Sequence, residues 1–431
     1  MEDQSREIVS PVLEKPIVQK QFEELKKIVD AAQKRIDYTV AHNEEIRKAI
    51  EVVERFLRKK KRVCYGGQAI NSLLPAQHKF YDPEYNVPDY DFFSPTVSAD
   101  VDELIEMLQG DGFTDVNKKV GMHEGTMKVY VNYVPVADCS ELHPRLFKIV
   151  QKRAKEVDGI LYSDPEFLKM MMYLELSRPR GEVERWKKVF ERLTLLNKFY
   201  PAGECNEYVK IDRSVSHEDR HKIIDFIQNN KRVLASTEVI DLLSRGKNSV
   251  STNRLIDYGG PVIFLSKQAK IDAEDLKDML AGTNVKVHSY EVETDSLFPF
   301  SVVSRGSVKI ALILQEEACH GYTNIKLSSG GDLRLATPDS LLHLYYSFLI
   351  FGRQEKAFFQ TSLECLIQKI HKVANKAREF PTDFLPAFGL RCSGHQKGIA
   401  TLLKEKVART EKEKKGSKGK SKTMKVKKGK K

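Results

Sequence analysis

Two aspartates separated by a single residue, Asp89 and Asp91, constrain this 431-residue chain more than any other feature. Side chains alternate along a β-strand, so residues i and i+2 point to the same face. Two carboxylates held side by side repel each other unless a hard cation lies between them, and Mg²⁺ prefers carboxylate oxygens together with substrate phosphates. The pair therefore predicts a strand that carries a site for a divalent metal ion.

A third carboxylate, Asp138, follows the run 126–136, which is rich in Val and Tyr and predicts another strand. If the two strands are neighbours, Asp138 joins Asp89 and Asp91 in one cluster. Two Mg²⁺ or Mn²⁺ ions about 3.5–4 Å apart in such a cluster can hold the attacking and leaving oxygens of an in-line displacement. Nucleotidyl transfer requires this arrangement.

A glycine pair, Gly66 and Gly67, follows a short apolar stretch that predicts a strand. Glycine lets the backbone turn sharply and approach a ligand closely. The next residues predict one or two helical turns that Pro75 ends, and free amides at the start of a helix would face the phosphates of a nucleoside triphosphate. Asn71 and Ser72 are candidate polar contacts to that nucleotide.

Each of these elements has an ordinary structural interpretation when it is taken alone. A glycine pair is commonly just a turn, Asp-Tyr-Asp after Pro88 can be a solvated acidic turn, and Asp138 can simply end a strand. The order strand, Gly-Gly, helix, Asp-x-Asp, strand, Asp is much harder to obtain by chance. The combination therefore favours a catalytic site.

Four segments of the chain resemble the poly(A) polymerase catalytic subunits of large DNA viruses, a family of the polymerase-beta-type nucleotidyltransferase superfamily. They are YGGQAINSLLP (65–75), KFYDPEYNVPDYDFFSP (79–95), GMHEGTMKVYVNYVPVADCS (121–140) and LYSDPEFLKMMMYLELSRP (161–179). The resemblance is dense over residues 60–200 and weaker elsewhere. The spacing from the glycines to Asp89, roughly two dozen residues, is longer than in many superfamily members but fits this viral branch.

The resemblance implies a template-independent polymerase that adds adenylates from ATP to an RNA 3′ end. Carried over by position, Asp89 and Asp91 would bind both metal ions, and Asp138 would bind the one that activates the 3′ hydroxyl. Gly66 and Gly67 would hold the triphosphate. Relatives in this family act alone, as homodimers or with a processivity subunit, and the sequence does not select among these.

Three other functions stay open at the level of sequence. A nucleotidyltransferase that transfers uridylate, or one that uses a small-molecule acceptor, would have the same three carboxylates. An RNA-binding subunit of a polyadenylation complex would not need them. A synthase of cyclic or 2′,5′-linked nucleotides would not need a primer.

The predicted fold class is α/β (α+β). We divide the chain into a helical N-terminal region (1–60), a catalytic nucleotidyltransferase domain with a mixed sheet (61–200), a C-terminal α/β domain (201–403) and a basic tail (404–431). In the second helix of the unit 163–200, Arg185, Lys188 and Arg192 share one face, and Trp186 between them predicts a core or interdomain anchor rather than a stacking platform for a base.

The second half of the chain echoes the first. Tyr258-Gly259-Gly260 is similar to Tyr65-Gly66-Gly67, 271–281 to 98–109, 307–319 to 126–139, and 338–350 to 165–176, in the same order. On this alignment Cys319 takes the place of Asp138. We hypothesise a degenerate, metal-free nucleotidyltransferase-like domain that forms an RNA cleft or a partner surface. Chance similarity between two ordinary α/β units is the alternative.

The charge of the chain is concentrated at one end. The sequence has 71 Lys and Arg against 60 Asp and Glu, a net charge of +11, and residues 404–431 hold 14 of the basic and three of the acidic residues, which is also +11. A tail of Lys, Gly and Ser cannot form a core, so we predict that it is disordered. It would attract RNA phosphates in a salt-dependent way; a solubility tail or a nuclear localisation signal are alternatives.

The remaining composition predicts an intracellular enzyme. Six widely spaced cysteines lack a zinc-binding pattern, so free thiols in a reducing compartment are expected. The first fifteen residues lack the apolar core of a secretory signal, and no apolar run approaches the ~18 residues needed to span a bilayer. A viral origin would imply the host cytoplasm, and the basic tail is equally compatible with the nucleus.

Overall fold

The computed structural model describes residues 16–205, 213–280, 284–290, 298–352 and 355–412. It contains two mixed β-sheets with helices packed around them, and one continuous hydrophobic core runs from the N-terminal helices to the C-terminal ones. The α/β (α+β) class predicted from the sequence is confirmed. The boundaries drawn between domains stay predictions.

The helical N-terminal region consists of α1 (Pro16–Ala41) and α2 (Glu44–Lys60). Asn43 caps α2 by accepting a hydrogen bond from the backbone N–H of Ile46. Helix α2 buries one apolar face against the first sheet, whereas Ala41 is the buried residue of α1. Helix α2 is therefore part of the core of the first half, and α1 projects from it.

The first sheet is built from seven strands that alternate with helices. The elements are β1 (Val63–Tyr65), α3 (Gly66–Leu73), β2 (Tyr90–Ser94), α4 (Val97–Gly110), β3 (Val116–Val120), β4 (Thr126–Val131), β5 (Val134–Glu141), α5 (Pro144–Arg153), β6 (Lys155–Val157), β7 (Ile160–Tyr162), α6 (Pro165–Leu176) and α7 (Trp186–Phe199). Their spatial order is β3-β4-β5-β2-β1-β7-β6.

One strand prediction needs correction. The run 126–136 is not one strand but the hairpin β4–β5, because Asn132 and Tyr133 adopt positive φ angles of 48° and 66° and reverse the chain. Positive φ at two central residues is typical of the tight turns that join antiparallel strands. Strand β5 consequently runs parallel to β2, and this pairing brings Asp138 beside Asp91.

The second sheet follows with its own helices. Its elements are α8 (His217–Asn229), β8 (Val233–Leu234), α9 (Thr237–Arg245), β9 (Ser249–Val250), α10 (Thr252–Asp257), β10 (Val262–Ser266), α11 (Ala269–Met279), β11 (Val285–Tyr290), β12 (Phe300–Arg305), β13 (Val308–Gln315), β14 (His320–Leu327), β15 (Asp332–Ala336), α12 (Pro338–Ile350), α13 (Leu363–Glu379) and β16 (Cys392–Ser393). The order is β11-β12-β13-β10-β8-β15-β14-β16, with β9 beside β14.

The second sheet repeats the topology of the first. Read from one edge, the pairs of the first sheet are antiparallel, antiparallel, parallel, antiparallel, parallel and antiparallel. The seven strands from β11 to β14 follow the same sequence of senses. The strands also occur in the same order along the chain, so the two halves share one topology.

A buried ion pair that occurs in both halves shows which residues of the two halves correspond. Arg62 donates to both carboxylate oxygens of Asp100 (2.5 and 3.0 Å), and Arg232 does the same to Asp272 (2.6 and 2.8 Å). Thr96 before α4 and Gln268 before α11 have nearly identical backbone angles. Each donates its backbone N–H to the hydroxyl of the serine two positions earlier, Ser94 in the first half and Ser266 in the second. A residue of β2 therefore corresponds to the residue of β10 whose number is higher by 172.

The equivalence corrects two parts of the sequence alignment. Pro261, Ile263 and Leu312 hold the positions of Asp89, Asp91 and Asp138, so Cys319 does not correspond to Asp138. Ser236 and Thr237, at the start of α9, correspond to Gly66 and Gly67. The backbone N–H of Ala235 donates to the carbonyl oxygen of Ile263, just as Tyr65 is the register partner of Asp91, so Ala235 corresponds to Tyr65. Residues 258–260 precede β10 instead. The three matching positions carry no carboxylate.

The prediction of free thiols is wrong for four of the six cysteines. Cys205 is disulfide-bonded to Cys365, and Cys319 is bonded to Cys392. Cys64 and Cys139 are free and buried. The cysteine-based argument for a reducing compartment therefore no longer holds.

The C-terminal end differs partly from its prediction. Residues 399–412 are helical, so the predicted disorder does not extend over 404–412, and 413–431 lie outside the described residues. Arg409 anchors this helix to the first half by donating to the carbonyl oxygen of Met122 (2.8 Å). Among the described residues, no helix combines the length and apolar character needed to cross a bilayer.

The ion pair common to both halves generates a stability prediction. Asp100 is fully buried, and Asp100→Ala would leave the Arg62 guanidinium largely enclosed without its partner. We expect a loss of about 3 kcal/mol in the free energy of unfolding, measured by urea denaturation. Asp272→Ala should cost a similar amount. A loss below about 1 kcal/mol in both variants would contradict the structural role of this pair.

Candidate active site

Three carboxylates converge at one end of the pair β2–β5. Asp91 and Asp138 are direct register partners on these parallel strands. Asp89 precedes β2 by one residue and lies two positions from Asp91, which puts both on the same side of the sheet. Tyr90 between them points into the core, where its hydroxyl donates to Glu54 (2.8 Å). Asp89, Asp91 and Asp138 therefore lie on neighbouring strand positions at the same end of the sheet.

The carboxylates destabilise one another's charged form. Burial raises the pKa of Asp91 to about 7, and repulsion from Asp89 and Asp138 adds to this effect. Asp89 lies at the exposed mouth of the cluster, but the surrounding protein still removes enough water to raise its pKa, and Asp138 raises it further. Concentrated negative charge of this kind needs cations.

Lys128 is the cation that contacts the cluster directly. It faces Asp138 across the β4–β5 hairpin, and its ammonium group is bonded to Asp138 Oδ2. The other oxygen, Asp138 Oδ1, is buried and has no hydrogen-bond partner in the described part of the chain. Nothing in the sequence singled out Lys128, because a lysine on a strand is commonly solvent-exposed.

The residues fit a divalent metal ion, although they do not form a finished coordination group. Within the described ranges, no set of three or more His, Cys, Asp or Glu side chains is already arranged to hold a metal. Lys128 supplies the positive charge at Asp138 in this arrangement. Three carboxylates at one place, one of them with a buried and unsatisfied oxygen, are nevertheless the donor set that Mg²⁺ or Mn²⁺ prefers.

The glycine pair lies against this cluster. Gly66 has a φ of +71°, and a Cβ atom built on it would be 2.6 Å from Asp91 Oδ2. A Cβ on Gly67 would be 2.4 Å from the Tyr81 hydroxyl and 2.8 Å from an Arg192 nitrogen. Helix α3 begins here without a side-chain cap. The start of α3 therefore borders the carboxylates on one side and Arg192 on the other.

The basic face predicted on one helix also reaches the site. Arg192 donates to the Tyr81 hydroxyl (2.8 Å), and its guanidinium lies 4.8 Å from the centre of the Phe80 ring. Lys188 and Arg185 act on the carboxylates electrostatically, since Lys188 counteracts the raised pKa of Asp89 and Arg185 that of Asp91. The pKa of Lys188 is lowered, first by Arg192. The sequence placed these cations on one face but gave no reason to bring that face here.

Asn71 and Ser72 make contacts within the protein. Asn71 Oδ1 accepts the backbone N–H groups of Phe80 and Tyr81 (2.8 and 3.0 Å) and so positions the loop that contacts Arg192. Ser72 lies beside Tyr162, whose pKa is raised by burial and lowered in part by Ser72. Direct contact of either residue with a nucleotide stays a prediction.

Comparison with known proteins confirms the resemblance over the region that holds this site. Residues 51–182 match the model of the family described as "Poly(A) polymerase catalytic subunit". A protein of Acanthamoeba polyphaga mimivirus, "Putative poly(A) polymerase catalytic subunit", is 31% identical over 195 residues, which are 43% of this chain and 33% of that protein. A protein with the same description from African swine fever virus (strain Badajoz 1971 Vero-adapted) is 35% identical over 163 residues, 36% of this chain and 34% of that one.

The similarity of fold extends further than the similarity of sequence. The crystal structure of the Megavirus polyadenylate synthase aligns with a TM-score of 0.73 and covers 92% of this chain and 83% of that one, at 20% identity. Both halves of the chain thus follow the fold of a viral polyadenylate synthase. The match with the curated relatives spans about a third of their length.

The raised pKa of Asp91 predicts a pH-dependent gain in stability when its charge is removed. An unfolded aspartate titrates near ~3.9, and the pKa of Asp91 in the folded chain is about 7. Folding is therefore penalised as the pH rises through this interval, and the full penalty applies above it. With a chelator present, Asp91→Asn should be more stable than wild type at pH 8, by on the order of 1–3 kcal/mol.

The measurement is urea denaturation at pH 8 and pH 5. The stabilisation by Asp91→Asn should shrink at the lower pH, because the wild-type carboxyl is then largely protonated in the folded protein. Asp275→Asn, which changes an exposed residue of α11, is the matched control and should give no gain at either pH. An Asp91→Asn variant that is equally stable to wild type at pH 8 would contradict the mutual destabilisation of the cluster.

Proposed function

We propose that this chain is a template-independent polynucleotide adenylyltransferase, a poly(A) polymerase that adds AMP from ATP to the 3′ end of RNA. The observation that carries the proposal is the pairing of Asp91 with Asp138 on parallel strands, beside the uncapped start of α3. The similarity of residues 51–182 to the poly(A) polymerase catalytic subunit family supports the choice of reaction. The proteins that share this similarity are viral.

In the proposed reaction, the triphosphate of ATP lies at the start of α3. Gly66 and Gly67 lack side chains there, which allows the phosphates to approach the backbone N–H groups. Arg192, held by Tyr81 beside Gly67, neutralises part of the phosphate charge, and Lys188 contributes from the same helix. The chain thus orients the α-phosphate toward the carboxylates.

Asp89, Asp91 and Asp138 would hold the Mg²⁺ or Mn²⁺ ions, with Asp89 and Asp91 shared between both and Asp138 on the side of the RNA. Bound ions would polarise the 3′ hydroxyl and neutralise the charge that develops on the phosphates. The 3′ hydroxyl gives its proton to water as its oxygen forms a bond to the α-phosphorus. The bond from that phosphorus to the bridging oxygen of the β-phosphate breaks, and pyrophosphate leaves with this oxygen and both electrons of the bond. Catalysis is then mainly positioning and charge neutralisation.

RNA and ATP are the proposed partners, and an intracellular site of action is proposed with them. Assembly into a homodimer or with a processivity subunit is a separate question, which the mass of the protein in solution answers for the dimer. Localisation of a fluorescent fusion would distinguish host cytoplasm from nucleus. Neither result affects the reaction proposed above.

The first test is extension of a short labelled RNA with Mg²⁺ or Mn²⁺ and each of the four nucleotides separately. We expect a ladder of products with ATP and at least a tenfold lower rate with the others, about 1.4 kcal/mol of discrimination. Preference for UTP would instead indicate a uridylyltransferase. Lack of any product while RNA still binds would indicate a non-catalytic subunit or a different acceptor.

Asp89→Ala should abolish the extension, because the remaining carboxylates cannot hold the proposed metals on the nucleotide side. The folded state should be preserved, since Asp89 lies at the exposed mouth of the cluster. A rate below about one hundredth of wild type is expected, with an unchanged circular dichroism spectrum as control. Retention of a tenth of the wild-type rate would refute the assignment of Asp89.

Arg192→Ala should raise the KM for ATP at least about tenfold, because a charged donor beside the proposed triphosphate position is lost. Steady-state extension rates at varied ATP concentration measure this effect. Lys187→Ala removes an exposed cation from the same helix and serves as the matched control. If both variants changed the KM for ATP equally, general charge rather than the position of Arg192 would be responsible.

A further inference from the structure

A second cavity, of about 680 Å³, lies in the other half of the chain. Helices α9, α10 and α13 surround it together with the residues that lead into β10. Pro261 and Ile263 line it, and these residues hold the positions of Asp89 and Asp91 in the repeated topology. The cavity is therefore the counterpart of the candidate active site, but it lacks the three carboxylates.

Three lysines of α13 line this cavity: Lys369, Lys372 and Lys376. Their spacing of three and four residues places them on one helix face. Arg185, Lys188 and Arg192, at the candidate active site, have the same spacing at the start of the corresponding helix. The counterpart cavity thus has no carboxylate at the three matching positions but carries a similar row of three cations. Glu238, Asp241 and Asp257 line it elsewhere.

These lysines are free to bind anions. Lys376 donates to the carbonyl oxygen of Ser244 (2.9 Å), and in the described part of the chain none of the three lysines forms an ion pair with a carboxylate. Of the acidic residues that also line the cavity, Asp241 is paired with Arg245 and Arg254, and Glu238 is paired with Arg220. In addition, Arg254 Nε is buried without a hydrogen-bond partner among the described residues. The wall therefore has more donors than acceptors.

Part of the remaining lining is apolar. Ile263 and Phe358 are buried there, and Val373 of α13 continues the apolar surface beside the lysines. A volume of 680 Å³ is within the ~300–1,000 Å³ range of ligand-binding cavities. A cavity with an apolar wall for a base and a row of cations for phosphate has the chemistry of a nucleotide-binding site.

The charge of the ligand distinguishes RNA from a free nucleoside triphosphate. A triphosphate carries several negative charges close together and is normally bound with a divalent cation on carboxylates, which the positions of Pro261, Ile263 and Leu312 do not provide. A phosphodiester carries one negative charge per nucleotide, which lysines spaced along a helix can neutralise singly. The cavity therefore suits a strand of RNA better than ATP.

We propose that this cavity binds a segment of the RNA substrate without a metal ion, at a site distinct from the one that performs the chemistry. The inference deepens the proposed function and rests on it in naming RNA as the substrate. Its prediction is nevertheless independent of turnover. Binding can be measured with no ATP and with a chelator, so that the candidate active site has no metal.

The experiment compares two double variants in their affinity for a fluorescently labelled oligoadenylate in a chelating buffer, by anisotropy. Lys369→Glu/Lys372→Glu changes the cavity wall. Lys286→Glu/Lys326→Glu is the control, because it changes the net charge equally at exposed positions of the same half that do not line the cavity. Thermal unfolding of both variants verifies that the fold is kept.

We expect the cavity variant to bind about tenfold more weakly than wild type, and the control to stay within about twofold. The slope of log affinity against log salt should fall by about 1.4 for the loss of two phosphate contacts on a single strand. A thiouridine-containing oligonucleotide should crosslink to the peptide that contains Phe358 and Thr361 in wild type, and less in the cavity variant. Equal weakening by both variants, or crosslinks confined to the first half, would overturn the proposal.

Two further results distinguish this proposal from binding of a free nucleotide and from the proposed reaction. Displacement of the labelled RNA from the cavity peptide by metal-free ATP at an equal phosphate concentration would overturn the choice of RNA over a free nucleotide. If the chain fails to extend RNA with any nucleotide but the cavity variant still loses affinity, the proposed reaction is refuted and the binding site stands. If extension occurs and affinity does not change, the opposite holds.

Discussion

The parallel pairing of β2 with β5 is the constraint on which the candidate site depends. It sets Asp91 directly opposite Asp138, and the alternation along β2 adds Asp89 to the same side. Parallel neighbours cannot be joined by a tight turn. Here the connection consists of α4, β3 and β4, and it brings back Lys128 as the cation beside Asp138. The acid cluster and the charge that balances it are thus products of one connection.

The same topology occurs twice in the chain, which separates what the fold needs from what the site needs. Both halves have the arginine–aspartate pair, in which the arginine precedes β1 or β8 and the aspartate lies in the helix after β2 or β10. The pair lies in the core of each half, and neither copy contacts the carboxylate cluster. The carboxylates of the first half are replaced by Pro261, Ile263 and Leu312 in the second. The fold therefore persists without the chemistry, and function belongs to the substituted positions.

The carboxylates and glycines of the candidate site could be predicted from the sequence. The pairing of strands that are far apart in the chain could be predicted only in part. Asp89 and Asp91 are two residues apart, so strand alternation was enough to group them. The glycine pair lies roughly two dozen residues earlier and was grouped with them from the order of the motifs. Asp138 required the assumption that two strands are neighbours, which the structure bears out. The hairpin inside 126–136 was missed, because the turn residues Asn132 and Tyr133 lie in a run that is otherwise typical of a strand.

The repeat shows why identity of residue type misled the alignment. Gly259 and Gly260 are of the same residue type as Gly66 and Gly67. They lie between α10 and β10, however, whereas Gly66 and Gly67 follow β1. The true counterparts are Ser236 and Thr237, which share no side-chain chemistry with glycine and are recognised only from strand register. The disulfides were missed for a related reason, since Cys319 and Cys392 are 73 residues apart and meet only through β14 and β16.

Each half has a row of three cations with the same spacing, but the side chains around the two rows differ. In the first half, Arg185 and Lys188 act on carboxylates whose charged forms are already disfavoured by burial and mutual repulsion. In the proposed reaction, opposite charges placed together there would balance the changing charge of the metal ions and the nucleotide. In the second half the three lysines share a cavity with apolar side chains, and Glu238 and Asp241, which also line it, are paired with arginines. Under the two proposals, the first half performs the chemistry and the second binds RNA, because a row of cations without the three carboxylates can hold a polyanion but cannot activate it.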